Sequence, residues 1–450
     1  MIKRVLVVFA LVGVAVLAAF WGLAGLSPAQ LPSALALGTG LGAKLACSGR
    51  YLSGFEQQRI ENDIASYSAL TRSLRFQSLP DGGVSASLLG REAVARYRPG
   101  LGCTLEYGDA SPLDGVRVPA RPAAGAARWP EGDDTGPAND GMQALLADML
   151  AADNAAGLDT RALLVARAGR VIAEAYADGI DSNTPLLGWS MGKSVTAIMV
   201  GRLEYLGLLK PDERALFPAW AQDERAQISL EDMLQMSSGL RFVEDYVPGS
   251  DATRMLFESP SAAQVAVDSP LAHAPGTHFY YSSGTTNLLS LLVYQRAGDT
   301  AQAQVDFFQR EIAAPLGLRN TTLEADASGV FVGSSFVYAP ARDWARFGQL
   351  LLNAGQINGE RVLSEDWVRR ARQPNGSEND RRYGYQLWLN AGGDPWWPSL
   401  PRSAYAMQGN RNQLVMMLPE HNVVIVRLGW TPDDYPADAN VARILAALER

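Results

Sequence analysis

The sequence predicts an α/β protein of the α+β kind, with an antiparallel β-sheet flanked by helices and an all-helical subdomain beside it. Three observations carry this. Residues 161–177 give two alternating apolar and polar runs about a turn at Ala168-Gly169-Arg170, which reads as a β-hairpin. Residues 414–418 and 423–428 give a second hairpin pair near the opposite end of the chain. Between them, residues 190–325 mostly carry apolar side chains at three- and four-residue spacing, the helical period. Strands at both ends of a helical insert suit one sheet with an α-domain at its side and a cleft between the two.

Taken in order, the chain opens with residues 5–26, a run of 22 residues without a charge, preceded by Lys3 and Arg4. That length crosses a hydrocarbon core of about 30 Å. The flanking charges predict a cytoplasmic N-terminus with the rest outside, on the bacterial inner membrane with a periplasmic catalytic domain. A cleavage site at Ala34-Leu35-Ala36 would instead release a periplasmic or secreted protein. Residues 27–43 read as a spacer. Residues 44–115 form a small accessory region with an amphipathic run near 56–74 and an alternating one at 84–89; its fold is not assigned. Cys47 and Cys103 are the two cysteines, and in an exported chain they predict one disulfide closing this region. Residues 116–138 are rich in Pro, Ala and Gly and read as a linker. Residues 139–450 make the main body, with helices expected at 140–153 and 437–448. The net charge of −8 argues against nucleic acid and against a basic membrane-surface patch.

Chemistry concentrates at Ser190-Met191-Gly192-Lys193-Ser194, ahead of an apolar helical pattern that runs to Leu209 and stops at Lys210-Pro211. The chain has only four lysines (Lys3, Lys44, Lys193, Lys210) among its 39 basic residues. Arginine therefore supplies ordinary positive charge, and lysine marks a place where losing a proton matters, because a guanidinium stays charged. In a helix starting near Ser190, residues 190 and 193 share a face. Burial would lower the Lys193 amine from its usual value of about 10.4 and let it act as base toward the Ser190 hydroxyl.

Two other patterns overlap the same residues. Gly188-Trp189-Ser190-Met191-Gly192 matches the G-x-S-x-G elbow of Ser–His–Asp hydrolases. That elbow needs a strand just before it, where residues 181–185 read as loop, and a histidine, for which His421 in a turn is the candidate. Gly192-Lys193-Ser194 is one residue short of a phosphate-binding loop and has no strand ahead of it. Three scattered histidines and two cysteines give no metal-ligand spacing, so neither metal nor cofactor is expected.

A second constellation, Tyr281-Ser282-Ser283-Gly284, precedes the apolar run at 288–293. With Ser190-x-x-Lys193 upstream, it resembles the Tyr-x-Asn/Ser element of the serine β-lactamase and penicillin-binding-protein superfamily. Leu234-Gln235-Met236-Ser237-Ser238-Gly239-Leu240, Ala341-Arg342-Asp343-Trp344-Ala345-Arg346-Phe347-Gly348 and Gly409-Asn410-Arg411-Asn412-Gln413 match further motifs in order. The spacing is most similar to the class C-type branch, which holds esterases, D-amino-acid peptidases and 6-aminohexanoate-oligomer hydrolases. The resemblance spans about residues 139–450 and implies a β-lactamase/transpeptidase-like fold.

It also implies roles. Ser190 becomes the acylated nucleophile, Lys193 its base, Tyr281 the proton carrier to the leaving group, and Ser283 a polar partner. The oxyanion donors become the backbone N–H groups of Ser190 and Asn410, or Gly409 one residue earlier. Two departures stand out: Met407-Gln408-Gly409 replaces Lys-Thr-Gly, so no cation awaits a β-lactam carboxylate, and Ser283 replaces the usual Asn. Both favour a small-molecule ester or amide substrate. Arg411 is a candidate for binding a substrate carboxylate. A catalytically inactive binding protein on the same fold is the non-enzyme alternative. Tyr280 reads as core, Glu244 and Asp245 as solvated, and Trp396-Trp397 as packing or a substrate wall.

Overall fold

The computed structural model describes residues 27–120 and 125–449. Its main sheet has six antiparallel strands in the spatial order Trp388–Leu389, Tyr405–Gly409, Gln413–Leu418, Val423–Gly429, Thr160–Arg167 and Arg170–Tyr176. The two expected hairpins thus lie side by side, joined where Val423–Gly429 pairs with Thr160–Arg167 and Ile425 faces Val165. Alternation along each strand divides the core. Leu163, Val165, Met416 and Ile425 face the helices Asp140–Ala155 and Ala437–Leu448. Leu164, Val424 and Val426 face the other way, toward Trp344 and Phe347 of the helix Ala341–Leu352.

Helices between the hairpins include Met191–Tyr205, Asp251–Phe257, Ala262–Val267, Ser283–Ala297 and Ala301–Phe308. The first ends four residues before the expected stop at Leu209. Gly207, at φ 73°, turns the chain, and the N–H groups of Gly207 and Leu208 close on the carbonyls of Glu204 and Leu203. A short sheet that the sequence did not announce pairs Val337–Ala339 with both Leu186–Leu187 and Thr322–Leu323.

The N-terminal region differs most from expectation. Residues read as spacer lie in a buried helix, Leu31–Tyr51, which also contains Ala34-Leu35-Ala36. Its glycines serve close packing: a side chain at Gly40 would collide with the Phe257 carbonyl. The helix covers a four-stranded antiparallel meander, Arg75–Ser78, Val84–Leu88, Arg91–Arg98 and Gly102–Leu105. The disulfide Cys47–Cys103 joins helix to meander. Lys44, buried, donates to Glu324 at 2.5 Å, and Glu324 also accepts from the Ser48 hydroxyl and the Cys103 N–H. Arg161 grips Asp63 of the helix Gln57–Ala65 with two bonds, at 2.5 and 2.9 Å. This unit is clamped to the body.

Residues 125–138, part of the expected linker, are likewise docked. Trp129 is buried, and Arg346 donates to the carbonyls of Pro130 and Gly132 and to the Asp133 carboxylate. Arg346 is held in turn by Asp343, so the Ala341–Gly348 motif has a structural task. Among the described residues no helix is long and apolar enough to cross a membrane. The uncharged run at 5–26, and the anchor expected from it, lie outside them.

Candidate active site

Three elements converge on Ser190. Strand Leu186–Leu187 leads through Gly188 and Trp189, which adopts a strained φ of 48°, into the helix Met191–Tyr205. Ser190 occupies the helix N-cap position, yet its hydroxyl caps no backbone N–H. An N-cap serine ordinarily spends its oxygen that way. Here the oxygen meets Lys193 Nζ at 3.0 Å instead.

The second element is the helix Ser283–Ala297. Ser282 is its N-cap and accepts from the Thr285 N–H at 3.2 Å. Spending Ser282 on the cap turns its two neighbours into the site. Ser283 Oγ lies 2.9 Å from Lys193 Nζ, and the Tyr281 ring lies under the same amine, 4.8 Å from its centroid. The third element is the loop at 332–335, whose Ser334 carbonyl accepts from Lys193 at 3.2 Å.

Glu244, read from sequence as solvated, closes the chain of contacts. Its carboxylate accepts from the Ser283 hydroxyl at 2.5 Å and from the Ser283 N–H at 2.7 Å. With that proton committed to Glu244, Ser283 Oγ can only accept from the lysine, as the Ser334 carbonyl must. A neutral amine has two N–H donors and one lone pair. Both donors are taken, so the lone pair faces Ser190.

The electrostatics agree with that assignment. Burial lowers the Lys193 amine to about 8, against the opposing pull of Glu244. Burial also raises the Glu244 carboxyl, while Lys193 and Ser283 act the other way. The Tyr281 phenol is pushed well above its ordinary value by burial first, then by Tyr383 and Glu244, against a hydrogen bond with Ser190. Of the two candidate bases, the amine gives up its proton the sooner, since burial pushes it down and the phenol up. Tyr281 stays protonated and is a donor. Its ring stacks on Trp388 at 5.2 Å, a neighbour that no sequence pattern marked.

Strand Tyr405–Gly409 ends against the loop that carries Ser190, where a side chain at Gly409 would collide with the Gly188 carbonyl. Asn410 follows directly, and Arg411 and Asn412 are both left-handed, at φ 61° and 60°. Met407 is buried and apolar, and Gln408 is uncharged, so the position of the missing Lys-Thr-Gly presents no cation. Tyr280 is exposed rather than core, and Trp397 is packed while Trp396 lies open, edge-on to Trp388 at 5.4 Å.

The overlapping G-x-S-x-G has a packing cause: a side chain at Gly188 would strike the Trp344 ring. His273 and His278 stack on each other at 3.9 Å. His421 lies in the turn after Gln413–Leu418, at the end remote from Gly409, and six strand residues span about 20 Å. No Ser–His pair forms around Ser190 among the described residues. Signals for Glu244 and Ser334 were absent from the sequence because Glu244 reaches Ser283, and Ser334 reaches the lysine, from loops distant in the chain.

A family model for Beta-lactamase matches residues 124–448, more than half of the chain. The 6-aminohexanoate-dimer hydrolase of Paenarthrobacter ureafaciens is 27% identical over 290 residues, 61% of this chain and 73% of that protein. Among solved structures, the D-amino acid amidase from Ochrobactrum anthropi SV3 is similar with a TM-score of 0.53 at 17% identity, over 70% of this chain and 99% of the other. A family VIII carboxylesterase is similar with a TM-score of 0.54 at 15% identity, over 70% and 98%. These two likenesses are of fold. Together with the family match across the catalytic region, they close the question of kinship: the chain belongs to the Beta-lactamase family.

Proposed function

We propose that the protein is a serine hydrolase that cleaves a small ester or linear amide through an acyl-enzyme on Ser190. The observation that carries this is the set of three oxygens around one buried amine. Two fixed acceptors, Ser283 Oγ and the Ser334 carbonyl, use both N–H bonds of neutral Lys193 and leave its lone pair toward the Ser190 hydroxyl. As Ser190 Oγ bonds to the substrate carbonyl carbon, its proton passes to Lys193 Nζ. The oxyanion so formed faces the Ser190 N–H at the helix start and the N–H groups at the end of Tyr405–Gly409, through Asn410 or Gly409. Collapse breaks the carbon–oxygen or carbon–nitrogen bond. The leaving group takes a proton from the Tyr281 hydroxyl, which is replenished from the Lys193 ammonium. Water then attacks the acyl carbon and gives its proton to Lys193; the ammonium passes that proton to Ser190 Oγ as the acyl carbon–Oγ bond breaks, which releases a carboxylic acid and restores the serine hydroxyl and the neutral amine.

Ester or amide is favoured over β-lactam by the uncharged Met407-Gln408-Gly409. The named activities of the relatives, on a 6-aminohexanoate dimer, a D-amino acid amide and carboxylic esters, support the same class. The same proposal places the catalytic body outside the cytoplasm, which one disulfide between the only two cysteines supports. To test the mechanism, the full chain is treated with a fluorophosphonate and the adduct mapped by peptide mass. Label is expected on Ser190, with Lys193→Ala slowing both labelling and turnover of p-nitrophenyl acetate by about 10²–10⁴-fold, the range for a lost general base. An adduct at any other residue, or unchanged rates in Lys193→Ala, rejects it.

A further inference from the structure

One face of the molecule gathers exposed apolar side chains from stretches far apart in sequence. The first stretch is the loop at 241–250, which brings Glu244 to Ser283 and presents Val243, Tyr246 and Val247 to solvent, each between 42% and 53% exposed. Tyr280, also exposed, leans on it: its hydroxyl accepts from the Glu244 N–H at 3.4 Å. The loop is not slack. Asp251 accepts from the Val243 N–H at 3.0 Å, and the Val247 carbonyl accepts from the Thr253 hydroxyl at 2.9 Å and the Ser250 N–H at 3.2 Å. A braced backbone thus holds these side chains out, where apolar surface is costly to leave in water.

The second stretch is the turn Leu89-Gly90 between Val84–Leu88 and Arg91–Arg98. Leu89 is 69% exposed and left-handed at φ 49°, and Gly90 follows at φ 81°. Such a turn ordinarily opens on Asn, Asp or Gly, whereas a leucine there takes on strain and gains no burial. The strand leading to it runs antiparallel to the helix Leu31–Tyr51: the Gly83 N–H donates to the Tyr51 hydroxyl at 3.2 Å, and Ala86 lies against Gly42. The turn therefore lies toward the start of that helix. The third stretch is that start. A Cβ at Gly249 would stand 3.5 Å from Ser33 Oγ, and Ala34 and Leu37 share a cavity wall with Tyr246 and Pro248. The uncharged run at 5–26 ends only four residues ahead of Leu31, a connection that reaches at most about 14 Å. Ser33 and Leu89 lie outside the family match at 124–448, so the N-terminal unit builds part of this face.

We propose that this face seats on a phospholipid bilayer, with Leu89 and Val247 entering the boundary between headgroups and acyl chains. The tether selects this occupant. With the run at 5–26 in the bilayer, as its length and flanking charges predict, so short a connection leaves the body little freedom to turn another face to the lipid. The seat needs no basic patch, in keeping with the net charge of −8, because tether and apolar contact hold it. The loop that fixes Ser283 through Glu244 then lies at the bilayer, and the site opens beside lipid.

To test the seat, the full chain carrying Leu89→Cys, Val247→Cys or Leu208→Cys is labelled with the fluorophore NBD under non-reducing conditions, which leave Cys47–Cys103 closed. Leu208 is the control: it is exposed too, but follows the far end of the helix Met191–Tyr205, about 22 Å along from Ser190. Each is reconstituted into vesicles of phosphatidylethanolamine and phosphatidylglycerol, with and without phosphatidylcholine bearing a nitroxide just below its headgroup. The nitroxide is expected to quench Leu89→Cys and Val247→Cys by at least about half and to leave Leu208→Cys unchanged, since insertion by about 5–10 Å brings a side chain to that depth. Quenching of neither or only one of the pair, or of all three alike, overturns the seat. A blue-shifted probe that the nitroxide does not quench also overturns it, because the face is then covered by something other than lipid, such as the run at 5–26. A chain that alkaline carbonate strips from the vesicles overturns tether and seat together.

Discussion

At the scale of single residues, function reduces to which proton each group holds. Lys193 is lowered to about 8 by burial, so its neutral form grows as pH rises toward that value. The limb of kcat/KM for p-nitrophenyl acetate is therefore expected to rise about tenfold per unit below pH 8 and level off above it. Glu244 opposes the lowering, since a nearby carboxylate favours the ammonium. Glu244→Gln removes that charge while keeping a hydrogen-bonding side chain, and the limb is expected to move to lower pH. A limb that stays in place would mean that Glu244 only supports Ser283. Tyr281→Phe is expected to cut turnover of poor leaving groups, such as anilides, more than that of p-nitrophenyl esters, because a good leaving group needs no proton. Equal losses would remove Tyr281 from the proton path. The scarcity of lysine marked Lys193 correctly but did not discriminate fully, as Lys44 is also buried and serves an ion pair. Composition cannot tell a deprotonated amine from a paired one, because the difference is the identity of the neighbour.

At the scale of elements, periodicity told much and packing told the rest. The hairpin at 160–176, the strand pair at 413–429 and the helix at 437–448 lie within a residue or so of their expected bounds. Each has an uninterrupted apolar pattern that its local turn chemistry agrees with. The helix Leu31–Tyr51 was missed because its glycines lower helix propensity, while tertiary packing requires Gly40 against the Phe257 carbonyl and Gly42 against Leu74. Its attachment has a measurable worth. Lys44→Ala leaves Glu324 buried without its partner, expected to cost about 3–5 kcal/mol and to appear as a lower denaturation midpoint. The double substitution Lys44→Met with Glu324→Leu is expected to recover most of that loss, since the apolar pair needs no charge compensation. If the double variant is no better than the single one, the ion pair is not what clamps the helix.

At the scale of the whole molecule, the N-terminal unit and the catalytic body act as one structure. Cys47–Cys103 closes a sequence separation of 56 residues inside the unit, and chain entropy assigns such a loop about 4 kcal/mol. Reduction is expected to lower the unfolding midpoint in denaturant. An unchanged midpoint would mean that the disulfide does not stabilise the unit. The same arrangement explains why residues 116–138 read as a linker in composition yet are docked where described: Arg346 satisfies their carbonyls from the body.

Sequence alone determined the family, the order of the catalytic motifs, the alternation that builds the sheet, and Ser190, Lys193, Tyr281 and Ser283 as the groups to watch. Those readings depend on spacing along the chain, which a helix or strand converts directly into a shared face. Only the tertiary structure decided which oxygens surround Lys193, that Glu244 holds Ser283 and Ser334 meets the amine, and that a segment read as spacer is a buried helix. Those depend on loops and helices far apart in sequence meeting at a few ångströms, and no local pattern encodes such distances.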